Sequence, residues 1–149
     1  MIPKVGDVAP DFTATTNEGK PLTLSSLRGH KVLLWFFPEA GTPGCTAEGC
    51  GFRDHREYYE ENDVKVMGIS FDSVADNAAF ARKHGFDFLL LSDTSHQIGI
   101  AYGACEDPKS RYPERISFLI GEDGIITRVY EQVNPRDHPA RVLADLLGV

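Results

Sequence analysis

Near-continuous apolar runs alternate along the chain with amphipathic or polar stretches, and this pattern predicts strands that are buried on both faces. The runs extend from Lys31 to Phe37, from Val64 to Ser70 and from Phe88 to Leu91. Apolar runs of this length, without strict alternation, are typical of strands covered by helices on both sides. Because parallel strands need crossover connections, helices are expected between the runs.

Three segments have the sequence of helices that would fill these connections. They are Pro43 to Tyr59, Val74 to His84 and His96 to Tyr102. Asp72 or Ser73 is the predicted N-cap of the second helix, and Gly85 is its predicted stop. The resulting order, strand and helix in alternation, favours a parallel core to the sheet.

Turn signals at both ends of the chain predict two β-hairpins and a last helix. The segments are Phe12 to Thr16 with Pro21 to Leu24, Arg115 to Ile120 with Ile125 to Tyr130, and a helix from Pro135 to Leu147 behind Asn134 as N-cap. The first hairpin is expected at one edge of the sheet. Together the elements predict a three-layer α/β domain with a mixed sheet. No linker divides the chain, so one domain over residues 1–149 is expected.

Composition and charge narrow the classes of function. The chain has 149 residues, 42% of them apolar, which is enough to bury a sizeable core. A net charge of −7 opposes binding to phosphate backbones, so nucleic acid is not an expected partner. No run is long enough to span a bilayer and no leader is evident, so we expect a cytoplasmic protein without a membrane partner.

The chain has three cysteines, which is an odd number and too few for a disulfide scaffold. They are therefore free thiols, metal ligands or transient redox partners. Cys45 follows Thr42 and Pro43, which read as an N-cap and a first helical residue. The sulfur is therefore expected in the first turn of a helix, where the dipole favours thiolate over thiol. Because the dipole contributes only about 0.3–1 kcal/mol, an arginine close to the sulfur is needed as well.

Cys50 lies five residues after Cys45. On one ideal helix their Cα atoms would be about 8.7 Å apart, whereas a disulfide needs less than about 7 Å. The two cysteines could pair only if the helix between them unwinds. The glycines in this segment, Gly44, Gly49 and Gly51, either lower the cost of that unwinding or permit close packing against the sheet.

The segment FFPEAGTPGCTAEGCGFRD contains the pattern P-x-x-x-T-x-x-C and resembles the active-site segment of the peroxiredoxins, which belong to the alkyl hydroperoxide reductase and thiol-specific antioxidant superfamily. The position of Cys50 is similar to that in the bacterioferritin-comigratory-protein or Q-type branch. The likeness extends to VGDVAPDF, VKVMGISFDS and RISFLIGEDGII. It implies a thioredoxin-like α/β/α fold and a thiol peroxidase that reduces hydrogen peroxide and organic hydroperoxides without a metal or other cofactor.

The resemblance also implies a role for each matched residue. Cys45 would be the peroxidatic nucleophile that becomes a sulfenic acid, and Cys50 would resolve it in an intramolecular disulfide. The remaining matched residues are Pro38, which would shield the sulfur, Thr42, which would hydrogen-bond thiolate and peroxide, Arg115, which would be the required cation, and Glu48, which would orient the arginine. A thioredoxin-type reductant and a monomeric state are implied by the family alone.

Three other functions would also use cysteines: a disulfide oxidoreductase, a metal-binding structural protein and a hydrolase. A thioredoxin-like disulfide oxidoreductase would share the fold, but the chain has no Cys-x-x-Cys. A metal-binding structural protein would use Cys45, Cys50, His55 and Cys105. A papain-like hydrolase would need a histidine beside Cys45, yet the histidines are scattered and are expected at the surface or as satisfied core residues: His30, His55, His84, His96 and His138. The resemblance implies no role for Cys105, which is expected to be a bystander; the alternative is that it competes with Cys50 as the resolving partner.

Overall fold

The computed structural model describes residues 2–148, so Met1 and Val149, which the expected domain of residues 1–149 includes, lie outside the described part. The strands within this part are β1 (Thr13–Thr16), β2 (Pro21–Thr23), β3 (Lys31–Phe36), β4 (Val64–Ser70), β5 (Leu89–Ser92), β6 (Ser117–Ile120) and β7 (Ile126–Tyr130). Their bounds agree with the predicted runs to within one or two residues. Arg115 and Ile116 were expected in the strand but precede β6.

The strands of residues 2–148 form one sheet in the order β2-β1-β5-β4-β3-β6-β7. β3, β4 and β5 are parallel neighbours, while the hairpins β1-β2 and β6-β7 and the contacts β1-β5 and β3-β6 are antiparallel. The predictions of a mixed sheet and of an N-terminal hairpin at its edge are confirmed.

The helices are α1 (Pro43–Asp54), α2 (Arg56–Glu61), α3 (Val74–His84), α4 (Gln97–Ala101) and α5 (His138–Leu147), with a short 3-10 helix at Leu24–Leu27. Both parallel crossovers, from β3 to β4 and from β4 to β5, step in the same direction along the sheet. Because such crossovers are right-handed, their helices lie on the same face. Ser73 caps α3 through a hydrogen bond from Asp76 N, and Gly85 ends it with a φ of 65°, as expected.

The strand β3 divides the core into two layers because its side chains alternate between the faces of the sheet. Leu33, Trp35 and Phe37 pack with residues of α1, α2, α3 and α5. Leu34 and Phe36 pack on the other face with residues of α4 and the N-terminal segment. The three-layer architecture is therefore confirmed. No helix of residues 2–148 is long and apolar enough to cross a membrane.

The helix predicted from Pro43 to Tyr59 was wrong in its length, because the chain breaks at His55 into α1 and α2. Most helical stability comes from packing an apolar face. In α2 Tyr59 is the buried residue, and the other side chains are polar or exposed. Little therefore holds α2 on the axis of α1, and Tyr59 instead donates a hydrogen bond to the carbonyl oxygen of Pro139 in α5 (2.5 Å).

The predicted start of the last helix at Pro135, with Asn134 as N-cap, was also wrong. Helix α5 begins at His138, and Asp137 is its N-cap. The side-chain oxygen of Asn134 accepts a hydrogen bond from Arg136 N at 3.0 Å, which closes a local turn. Asparagine side chains compete with helix formation through such local hydrogen bonds, so a turn precedes the helix.

Candidate active site

Cys45 lies in the first turn of α1, at the carboxyl end of β3, and is fully buried. Pro43 is the first helical residue and Thr42 occupies the N-cap position, as the sequence predicts. The hydroxyl of Thr42 makes no capping hydrogen bond and instead donates to the carbonyl oxygen of Glu39 at 2.8 Å. The sulfur thus lies near the N–H groups at the positive end of the helix.

Arg115 reaches Cys45 because of the antiparallel register between β3 and β6. Trp35 pairs with Ser117, and Phe36 N donates to Ile116 O at 2.8 Å, so the chain before β6 lies beside the carboxyl end of β3. From there, Nη2 of Arg115 lies 3.5 Å from Sγ of Cys45. A guanidinium therefore lies close to the sulfur of Cys45, at a distance that the sequence alone does not give.

Glu48 holds the other side of the same guanidinium. Its Oε1 accepts a hydrogen bond from Nη1 of Arg115 at 2.7 Å, and its side chain is fully buried, whereas 19% of the Arg115 side chain is exposed. Burial raises the pKa of Glu48 to about 7, while the charge and hydrogen bond of Arg115 act in the opposite direction. Burial alone would lower the pKa of Arg115, but Cys45 and Glu48 outweigh it and the net shift is upward, so the guanidinium stays charged.

The glycines of α1 lie where side chains would collide. A Cβ on Gly44 would come within 3.0 Å of Nη2 of Arg115. A Cβ on Gly49 would lie 2.4 Å from the ring of Phe86, and one on Gly51 would lie 2.7 Å from the ring of Pro139. Close packing is therefore one reason for these glycines. Their effect on unwinding stays a prediction.

Cys50 lies on the same continuous helix as Cys45 and is partly buried at the edge of the apolar layer. Both thiols are free. In an unbroken helix a spacing of five residues keeps the two Cα atoms about 8.7 Å apart, beyond the reach of a disulfide. The described conformation is therefore the one before any bond between them.

Asp72 fixes the loop between β3 and α1 through a hydrogen bond to its backbone. Its Oδ2 accepts hydrogen bonds from Ala40 N at 2.8 Å and from the hydroxyl of Ser70 at 2.7 Å. Pro38, half-buried, opens this loop directly after Phe37. From sequence, Asp72 was a candidate N-cap of α3. Its contact with this loop was not predicted, because it depends on the position of β4 beside β3.

His138 is a second residue that the sequence did not single out for the site. It is buried, its Nε2 lies 2.9 Å from Oγ of Ser117, and its ring contacts those of Phe52 and Tyr130 edge to face. Burial lowers the pKa of His138 to about 4, so the ring is neutral near pH 7. This agrees with the expectation of a satisfied core histidine.

Cys105 packs beside α4 rather than on α1. Its backbone N–H donates to Gly99 O, and its sulfur lies 3.2 Å from the place where a Cβ on Gly99 would stand. Burial, and then the charge of Asp93, raises the pKa of the Cys105 thiol. Within residues 2–148, no group of three or more His, Cys, Asp or Glu side chains is arranged to hold a metal ion.

Comparison with known proteins shows the family of the chain. The family model described as AhpC/TSA matches residues 5–129. A putative peroxiredoxin bcp from Coxiella burnetii is 42% identical over 149 residues, covering 96% of this chain and 98% of the relative. The crystal structure of peroxidoxin BcpB from Mycobacterium tuberculosis is 33% identical with a TM-score of 0.90, covering 98% of this chain and 97% of that chain.

A further solved structure is that of the bacterioferritin comigratory protein of Xanthomonas campestris, described by its alkyl peroxide reduction activity. It is 27% identical with a TM-score of 0.88 and covers 97% of this chain and 96% of that chain. These relatives do not favour a disulfide oxidoreductase or a metal-binding structural protein. The chain therefore belongs to the AhpC/TSA family and is a thioredoxin-fold peroxiredoxin of the Bcp and Q type, a thiol-dependent peroxidase.

Proposed function

We propose that Cys45 is the peroxidatic nucleophile, that Cys50 resolves it, and that the substrates are hydrogen peroxide and organic hydroperoxides. The observation that carries the proposal is the 3.5 Å contact between the Cys45 sulfur and Nη2 of Arg115 at the start of a helix. A thiolate is favoured there by both the cation and the helix dipole. The alkyl peroxide reduction described for the Xanthomonas campestris relative supports the organic substrates.

In the first step the Cys45 thiolate attacks the terminal peroxide oxygen. The S–O bond forms as the O–O bond breaks, and the leaving oxygen develops negative charge. Arg115 and the free N–H groups of the first turn of α1 are suited to stabilise that charge, because their positions are fixed before the reaction. Removal of one such donor typically costs about 10²–10³ in rate in other enzymes.

Thr42 and Pro38 define the approach of the peroxide. The Thr42 hydroxyl donates to Glu39 O, so its lone pairs are free to accept the O–H of a hydroperoxide. In this arrangement Thr42 would orient the substrate proton while Arg115 faces the oxygens. Pro38, in the loop before α1, would limit the access of water to the sulfur.

In the second step Cys50 attacks the sulfenic acid and releases water. Cys45 and Cys50 must approach from about 8.7 Å to below about 7 Å between their Cα atoms, so α1 has to unwind between them. A glycine lowers helix stability by up to about 1 kcal/mol relative to alanine, and Gly49 lies in the segment between the cysteines. A thioredoxin-type dithiol would then reduce the disulfide.

Because both cysteines lie on one helix of one chain, the cycle needs no residue from a second copy. We therefore propose that the enzyme works as a monomer. Light scattering of the reduced and oxidised protein would test this, and a reduced protein that is dimeric at assay concentration would contradict it.

The unique tryptophan offers a direct test of the two steps. The Trp35 ring lies 5.2 Å from the ring of Phe52 in α1, so unwinding of α1 should change its fluorescence. After mixing with peroxide in a stopped-flow instrument, we expect a fast phase for sulfenic acid formation and a slower phase for unwinding. Cys50→Ser should lose the slow phase, and Cys45→Ser should lose both.

Cys105→Ser is the matched control, because it removes a buried thiol that lies outside α1. We expect it to keep both phases. A Cys45→Ser protein that still consumes peroxide, or a Cys105→Ser protein that does not, would contradict the assignment of the nucleophile.

A further inference from the structure

A single cation, Arg115, contacts two side chains that can each carry a negative charge. Nη2 lies 3.5 Å from Sγ of Cys45, and Nη1 lies 2.7 Å from Oε1 of Glu48. Both Cys45 and Glu48 are fully buried. If both were ionised, the site would hold one uncompensated negative charge out of contact with water, which is strongly unfavourable.

The other groups around Glu48 do not supply a second positive charge. Among the described residues, Arg115 is the charged group that acts on Glu48. His138, which α5 brings near Arg115, is neutral near pH 7, and Asp137 beside it is an acid. From the connection between α3 and β5, the apolar ring of Phe86 packs against Gly49. Arg53, further along α1, donates to His84 O.

The uncompensated negative charge would lie partly on the second oxygen of the Glu48 carboxyl. Oε2 is buried and has no hydrogen-bond partner within residues 2–148. A carboxylate would place part of its charge on this unsolvated oxygen. A protonated Oε2 carries no charge, and a buried neutral group without a partner costs less than a buried charge.

We propose that Cys45 and Glu48 share one proton across Arg115, so that Glu48 is a neutral acid while Cys45 is a thiolate and becomes a carboxylate once Cys45 is oxidised. The inference rests on the proposed function of Cys45. It makes Glu48 a positioning residue that also stores the proton needed by the leaving oxygen. The upward shift of the Glu48 pKa to about 7 agrees with this exchange near neutral pH.

The steps balance in atoms and electrons. The Cys45 thiolate and ROOH give the sulfenic acid and RO⁻, in which sulfur is oxidised by two electrons and the O–O bond is reduced. Glu48 then yields its proton, directly or through water, to give ROH and the carboxylate that pairs with Arg115. When a dithiol later reduces the disulfide, one of its two protons returns to Glu48 and the other stays on Cys50.

Proton uptake from solution distinguishes this role from one that only orients the arginine. The experiment uses the full chain with Cys50→Ser and Cys105→Ser, so that Cys45 stops at the sulfenic acid, with and without Glu48→Gln. Each protein reacts with stoichiometric hydrogen peroxide in weak buffer containing a pH indicator, at about pH 7.5. This pH lies above the Glu48 pKa of about 7, so a Glu48 carboxylate beside the oxidised Cys45 does not take a proton back from solution. Intact mass spectrometry of the same samples measures how much sulfenic acid forms.

With Glu48 present we expect little proton uptake for each sulfenic acid formed, because the proton comes from within the site. Glu48→Gln, which keeps the shape but holds no exchangeable acid proton, should take up close to one proton from solution. Equal uptake in the two proteins would overturn the proton sharing and leave the peroxidase function intact. Failure of Cys45 to form any sulfenic acid would instead overturn the proposed function.

Should Glu48→Gln fold poorly, difference infrared spectroscopy of the protein that retains Glu48 gives a second readout. The carbonyl stretch of a protonated carboxylic acid should disappear when Cys45 is oxidised and return on reduction. A reduced-minus-oxidised spectrum without this band would overturn the inference.

Discussion

Replacement of His138 by glutamine should change how the stability of the protein depends on pH. His138 is buried in the apolar layer between Phe52 and Tyr130, and burial lowers its pKa from 6.5 to about 4. Glutamine places a nitrogen close to the position of Nε2, can keep the hydrogen bond to Ser117, and does not titrate. The variant therefore removes the protonation and preserves most of the packing.

The sign of the effect follows from proton binding in the two states. The unfolded chain binds a proton on His138 at higher pH than the folded chain does, so the stability from the neutral ring is present above pH 6.5 and is lost as the pH falls toward 4. Each pKa unit corresponds to 1.36 kcal/mol, so the loss between pH 7 and pH 5 is about 2 kcal/mol.

Glu48 acts in the opposite direction over nearly the same range. Its pKa is raised by burial from 4.5 to about 7, so the folded state binds a proton more tightly than the unfolded state. This contribution is present below pH 4.5 and is lost as the pH rises to about 7, so acidification from pH 7 to pH 5 adds about 2 kcal/mol. In the unmodified protein the two contributions largely cancel.

Urea denaturation of the reduced proteins between pH 7 and pH 5 measures both contributions. Relative to the unmodified protein, the free energy of unfolding of His138→Gln should rise by about 2 kcal/mol on acidification, and that of Glu48→Gln should fall by a similar amount. Other carboxyl groups are common to all the proteins, so their contributions cancel in these differences. A His138→Gln curve parallel to that of the unmodified protein would show that burial of the ring does not make stability depend on pH in this range.

Three further substitutions test the site and its support. Arg115→Lys should lower the second-order rate of peroxide reduction by at least about 10²-fold, because a lysine cannot contact Cys45 and Glu48 with two separate nitrogens. Arg111→Lys, at an exposed position, is the control and should leave the rate unchanged. Similar rates for the two variants would argue against the role of Arg115. Gly44→Ala should slow the same reaction about tenfold, because the added Cβ displaces Nη2 of Arg115. It should not lower the melting temperature, because alanine favours the helix. An unchanged rate would show that the contact between Arg115 and Cys45 is dispensable. Tyr59→Phe should lower the free energy of unfolding by about 0.5–1.5 kcal/mol, because it removes the hydrogen bond from the buried hydroxyl to the carbonyl oxygen of Pro139. Tyr58→Phe, with 53% of Tyr58 exposed, should change it little, and equal effects of the two substitutions would show that this hydrogen bond has no special role.

The strands were predictable from sequence because their apolar runs are long and unbroken, and α3 was predictable because Ser73 and Gly85 mark its ends. The position of Cys45 followed from Thr42 and Pro43 in the same way. The break at His55 was not visible, since it depends on the packing of Tyr59 against Pro139, 80 residues away in sequence. Local signals fix caps and turns, whereas such distant contacts depend on the assembled fold.

The same distinction holds within the site. Arg115 could be named from the family resemblance, but its distance from Cys45 depends on the register of β6 against β3. Asp72 and His138 act through contacts with residues 32 and 21 positions away, and no local sequence signal around either residue reports these contacts. Charge balance across Arg115 could not be read from sequence either, because it depends on the burial of Glu48.

The most direct test of the central claim is rapid-quench mass spectrometry of the reduced protein after mixing with near-stoichiometric hydrogen peroxide. The samples are alkylated within seconds, weighed intact and mapped by peptide. We expect a loss of two hydrogens that maps to a bond between Cys45 and Cys50, with Cys105 alkylated. Three alkylated, unoxidised thiols, or a bond that excludes Cys45, would contradict it.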